Sequence, residues 1–276
     1  MSGMTETKVT GVLQSDWSAA IQDYPIASGW THDGAVLVVC DSAGGLYVFD
    51  SQQGELLWSE PCAHEGGALA MSMHPVEAVF ATAGQDGKIL IWDLTGAHSR
   101  CCIEVGSGWV ENVLWSPDGA RLASSHGREI QIFGVDGAEQ WRSDEHLSTV
   151  SALGWLNSNE LVSTCYGRVT IFDSDTGEPN QRFEWKGSLV SLALSPDGDV
   201  IACGSQDNSV HFWRRSTGED SMMAGYPGKP AALAFDSTGT LLATGGGETV
   251  TVWSFEGDGP EGCLLYTSPS PRDPSI

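Results

Sequence analysis

Basic residues are scarce: 13 Lys and Arg stand against 36 Asp and Glu in 276 residues, a formal net charge of −23. A surface of that sign repels phosphate, which argues against nucleic acid and anionic membranes as partners. No run approaches the roughly 20 apolar residues of a spanning helix, and the opening MSGMTETKVTGVLQ lacks an apolar leader core. A cytoplasmic chain is expected. A disulfide framework is also missing, because Cys40, Cys165 and Cys203 sit inside apolar runs and Cys101 and Cys102 are adjacent. Helical spacing of apolar residues is absent throughout. His32, His64, His74, His98, His126, His146 and His211 show no HxxxH or Cys/His ligand spacing. Neither a metal nor a cofactor is expected.

What the chain does have is a period. The segments GLYVFD, ILIWDL, IQIFGV, VTIFDS, VHFWRR and VTVWSF carry an aromatic at Phe49, Trp92, Phe133, Phe172, Trp213 and Trp253, about 40 residues apart. A second marker keeps step, a large apolar residue followed by a turn: Trp30 with THDG, Met73 with HPVE, Trp115 and Leu194 with SPDG, Trp155 with LNSN, Phe235 with DSTG. Short β-branched runs bounded by Asp, Asn, Gly and Pro lie between the markers and read as antiparallel hairpins. Such a unit cannot bury both faces alone, so units pack side by side around an axis. The expected fold is all-β, a β-propeller of four-stranded antiparallel blades, six visible in the repeats and seven in the intact ring. Residues 1–14 are expected to be a closing strand and residues 15–262 the blades, with the completeness of the last blade left open by the repeat.

At AHEGGALAMSMHPVEAVFATAGQDGKILIWD the chain resembles the WD-repeat family. The resemblance implies a structural hydrogen-bonded network of His64, Thr82, Asp86 and Trp92, with Asp207 and Trp213 keeping the spacing in the fifth repeat, where Cys203 stands in the hydroxyl position. It covers residues 7 to about 257 and rests on the repeat as a whole. The ending CLLYTSPSPRDPSI has no such beat, and residues 263–273 resemble translated sequencing-adapter DNA. Residues 263–276 are therefore expected to be read-through rather than a domain.

Catalysis finds no support in the pattern. Among the innermost strands, PIASGW, ALAMSM, WVENVLW, VSALGW, LVSLAL and AALAF, only Glu111 is a carboxylate, too few for a cation needing several hard ligands. Glycine-rich TGGGE lacks the Lys and helix of a phosphate loop. No catalytic residue is assigned and the chain is expected not to be an enzyme. Binding is left to loops held by a rigid scaffold. The resemblance implies that inter-blade loops and tight turns share one face, which collects Lys88, Arg128, Arg168, Lys186 and Lys229 with the aromatics Trp109 and Tyr226. Arg with exposed aromatics is the composition of interface anchors. The expected function is a protein-interaction scaffold whose partner is an acidic protein or peptide. The alternatives are a rigid structural subunit of a larger complex and, more remotely, an enzyme using a loop site.

Overall fold

The computed structural model describes residues 17–256 and the strand Leu264–Pro269, so the expected closing strand at 1–14 lies outside the described residues. The described residues are all-β. In the first sheet Pro25–Trp30, Val36–Asp41, Leu46–Asp50 and Leu56–Glu60 pair antiparallel in chain order. The same order recurs over residues 68–104, 110–142 and 232–269. In the last of these, Leu264–Pro269 pairs with Thr249–Ser254 as the fourth strand, a backbone pairing that asks only for strand-forming residues such as Tyr266 and Thr267.

The turns that set these hairpins are chemically specific. In SPDG, Ser116 Oγ donates to Asp118 (2.6 Å), Gly119 N–H donates to the Ser116 carbonyl (2.9 Å), and Gly119 has φ 72°. Glycine alone takes that left-handed conformation without strain. Ser195, Asp197 and Gly198 repeat the arrangement.

The repeat predicts six sheets, whereas the described residues form five, because the fourth and fifth repeats share a six-stranded sheet. Two long strands make the junction. Glu160–Asp173 pairs with Ala152–Asn157 through residues 160–164 and with Pro179–Leu194 through residues 166–172. Gly167, at φ 76°, marks the hairpin turn inside it. Pro179–Leu194 then runs on from that outer position to pair with Val200–Ser205. A bulge at residues 185–187, opposite Gly167, and a second register shift between Leu189 and Ser191 mark where the edge of one repeat becomes the inner strand of the next.

Inner strands lie against one another in chain order, from Pro25–Trp30 through Ala68–Met73, Val110–Trp115, Ala152–Asn157 and Pro179–Leu194 to Ala232–Phe235. This is a propeller arrangement. Its core is the set of seams between neighbouring sheets. Ala81, Ile89 and Ile91 of the second repeat meet Val113, Trp115, Leu122 and Phe133 of the third, and Val38, Cys40 and Leu46 meet Phe80 and Trp92. Burying each large apolar side chain contributes about 1.5–3 kcal/mol.

Candidate functional site

The network around Trp92 is built by two strands, the tight turn between them and a loop. Trp92 Nε1–H donates to Thr82 Oγ1 (2.9 Å), which lies 2.8 Å from His64 Nε2, while His64 Nδ1 lies 3.0 Å from Asp86 Oδ1. Only the tautomer with hydrogen on Nδ1 satisfies every group, so protons run from Trp92 to Thr82 to His64 to Asp86. Asp86 also accepts from the backbone of Glu65 and Lys88, which ties loop to turn. Burial holds His64 below the usual imidazole range, more than Asp86 raises it. The ring occupies space left by Gly84, whose Cβ would lie 2.5 Å from His64 Cγ. Gly84→Ala is therefore expected to displace the imidazole and lower stability by about 1–3 kcal/mol, checked by a drop in the urea midpoint.

His146 lies in a loop and holds there the position of His64 two repeats further on. Its Nε2 lies 3.0 Å from Ser163 Oγ and its Nδ1 donates to the Arg128 carbonyl (2.9 Å). Burial lowers its pKa too. Tyr226 fills the same place in the sixth repeat: Trp253 Nε1–H donates to its hydroxyl (2.7 Å), which lies 2.8 Å from Thr244 Oγ1. In the fifth repeat the position is Trp185, stacked 3.8 Å from His211, which in turn meets Trp213 edge-on at 4.3 Å. His211 Nε2 is 3.1 Å from Asp220 Oδ2 but out of hydrogen-bond alignment, and burial lowers its pKa more than Asp220 raises it. Asp207 accepts from Ser209 Oγ (2.5 Å) in the tight turn, and Trp213 is buried against Phe183. The signal that finds these anchors is spacing: His64, His146, Trp185 and Tyr226 each precede by four residues Ala68, Val150, Leu189 and Pro230, which lie in the inner strand or within two residues of its start.

These anchors hold the loops beside the tight turns. Val105 N–H donates to the Gly87 carbonyl (2.9 Å), Val150 N–H to Gly127 (2.8 Å), and Gln206 N–H to Ser188 (2.9 Å). Arg128 and Arg168 follow two of these turns. Arg128 donates through Nε to the His146 carbonyl (2.7 Å) and pairs with Glu145 at 3.1 Å. Arg168 lies 3.6 Å from Glu184. With the exposed Lys186, Arg168 borders an open groove of about 640 Å³ lined by Leu147, Gly167, Glu184 and Trp185. The structure thus brings Arg128, Arg168 and Lys186 to neighbouring loops. Trp109 stands next to the turn that carries Arg128, whereas Tyr226 and Lys229 lie on the loop before the sixth repeat. Trp109 is 52% exposed on the loop before Val110–Trp115, with its carbonyl accepting from His126, and Lys88 borders a separate depression with Asp86 and Glu104. Tyr226 is committed to the network just described, and the exposed Lys229 follows it on that loop.

Glu111, the inner-strand carboxylate, accepts from the backbone N–H of Gly127 (3.0 Å). Among the described residues no three His, Cys, Asp or Glu side chains converge where one ion could bind them. Burial pushes the Cys40 thiol up to about 11 and raises Cys203 as well.

Residues 56–93, 177–214 and 225–254 match the family described as WD domain, G-beta repeat. The chain carries WD repeats. Similar proteins include the serine-threonine kinase receptor-associated protein of Mus musculus, 22% identical over 75% of this chain and 59% of its own length. Cell division cycle 20.6, cofactor of APC complex, of Arabidopsis thaliana is 26% identical over 86% of this chain and 59% of its own. This WD-repeat chain thus spans about three fifths of those relatives. A chain in a crystal structure of the mitotic checkpoint complex superposes with a TM-score of 0.71 at 22% identity, covering 81% of this WD-repeat chain and 72% of that one. At that identity the likeness carries the fold alone.

Proposed function

We propose that the chain is a non-catalytic, cytoplasmic scaffold that binds an acidic protein partner through the loops carrying Arg128, Arg168 and Lys186. The carrying observation is that these cations gather on neighbouring loops of a molecule whose net charge is −23. The names of the relatives support it, since receptor-associated protein, cofactor of a complex and checkpoint complex all describe proteins held by other proteins. Reversing charge with Arg128→Glu and Arg168→Glu together is expected to weaken a partner recovered by affinity purification at least tenfold, read by titration calorimetry. Unaltered affinity would sink the reading.

A second reading, a rigid subunit within a larger ring or assembly, is favoured by one flank. Trp30 is 51% exposed, whereas Trp115, at the same place in the third repeat, is 6% exposed against the second. Ile26 is exposed beside it. Trp17 donates to the Ser51 carbonyl (2.8 Å) and packs on Phe49, as Trp141 donates to Ser174 (2.7 Å) and packs on Phe172. Trp141 is an outer-strand residue of the preceding repeat, so Trp17 stands where a further unit would place its own. We take the six repeats as six blades, two sharing a sheet, and the intact ring as seven. Residues 263–276 are taken as adapter read-through, which sequencing the gene from intact DNA checks. If residues 1–262 express as a soluble monomer with one cooperative transition, the seventh unit is unnecessary; aggregation through the exposed flank is the expected result.

A further inference from the structure

The groove at Leu147, Arg168, Trp185 and Lys186 holds two hydrogen-bond donors without an acceptor. Arg168 Nε and Trp185 Nε1 are both buried and unpartnered. Trp185 has its indole fixed by the stack on His211 and lies over Gly187, whose Cβ would stand 3.1 Å from Nε1. A buried donor without a partner is a standing cost that native structures rarely leave. Around these donors the surface is apolar: Leu147 is 58% exposed, and Tyr166, next to Gly167, is 56% exposed. Lys186 adds a third donor and a charge at the rim.

Resting on the loop-face reading above, we propose that this groove takes a short peptide segment of a partner protein in which a large apolar side chain neighbours an Asp or Glu. A carboxylate has acceptors only, so it complements the donors of Arg168, Trp185 and Lys186, of which Arg168 Nε and Trp185 Nε1 lack a partner. The apolar neighbour covers Leu147 and the Trp185 ring. Glu184, 3.6 Å from Arg168, and Glu145, beside Arg128, keep the local positive charge small. That suits one carboxylate and disfavours a polyanionic backbone. Trp185 takes the loop position that His64 and His146 fill in their repeats, yet its N–H does not join a network as theirs do. This repeat has kept the anchor and left its donor to a ligand.

The test is selection of short random peptides displayed on phage against the full chain, followed by anisotropy titration of the synthetic winner. The expected winner pairs an apolar residue with Asp or Glu. Its amide variant, Arg168→Met and Trp185→Phe should each weaken binding, the first two by about tenfold or more. Trp185→Phe keeps the stacked ring, so its loss reports the N–H rather than the fold. A winner without an acid, no winner at all, or indifference to both groove variants overturns the proposal. If Arg128→Glu or Trp109→Ala weakens the winner and the groove variants do not, the groove falls and the loop face stands. If no variant on this face matters, both fall. Displacement of the peptide by single-stranded DNA at lower concentration than by free peptide also overturns the assignment to a protein segment.

Discussion

Replacing Thr82 by Val should cost about 2–4 kcal/mol, because one hydroxyl serves two buried partners and each group orphaned in the interior costs about 1–3 kcal/mol. Trp92 would lose its acceptor and His64 its donor, while side-chain volume stays nearly constant. Two other repeats provide an internal scale at the same strand position. Ser163 serves His146 alone, so Ser163→Ala should cost about 1–2 kcal/mol. Ser124 Oγ is buried without a partner, so Ser124→Ala should change stability by no more than about 0.5 kcal/mol. Urea unfolding with an unchanged slope gives all three numbers. If Thr82→Val proves no costlier than Ser124→Ala, the network does not stabilise the fold.

Acidification should destabilise the protein well before its carboxylates protonate. His64, His146 and His211 are buried, and burial is the first cause holding each imidazole below its ordinary value. Above about pH 6.5 both folded and unfolded chains keep them neutral and their contribution is complete. Below that, the unfolded chain binds protons the folded chain refuses, so stability falls as pH falls, until the folded values are reached. The limiting slope is about 1.4 kcal/mol per pH unit for each histidine. Turn carboxylates such as Asp118 and Asp197 are lowered by their serine hydroxyls, so their stabilisation is lost only at lower pH. A falling urea midpoint between about pH 7 and pH 5.5, shallower in His146→Gln, is the expected result. A flat or rising midpoint over that span would contradict it.

Much of this architecture was legible in the residues because its signals are local. Alternating strands, SPDG turns and an aromatic near every fortieth residue each follow from backbone geometry that neighbouring residues determine. What escaped was what the repeat hides by changing residue type. His146, Trp185 and Tyr226 share one structural role with His64, yet reading by residue type files them as a loop histidine, a strand residue and a binding aromatic. Tyr226 shows the difference, since its hydroxyl is held by Trp253 and Thr244. The groove was hidden for another reason: it joins Leu147 to Lys186 across two loops, and its unpartnered donors are visible only once burial is known. Trp109 and the Arg128 turn are neighbours, since His126 donates to the Trp109 carbonyl, whereas Tyr226 and Lys229, read into the same cluster, sit before the sixth repeat, a separation that the ring sets and residue type does not show.

The strand Pro179–Leu194, bulged at residues 185–187, carries a mechanical meaning. In an array where each unit touches only its neighbours, a single repeat can peel away by losing two seams. Here the outer edge of one repeat and the inner edge of the next belong to one strand, paired to Glu160–Asp173 on one stretch and to Val200–Ser205 on the other, so displacing one repeat pulls on the other. The piece this side of the ring sheds most readily is then a double unit of about 80 residues, with the bulge that carries Trp185 and Lys186 at its middle.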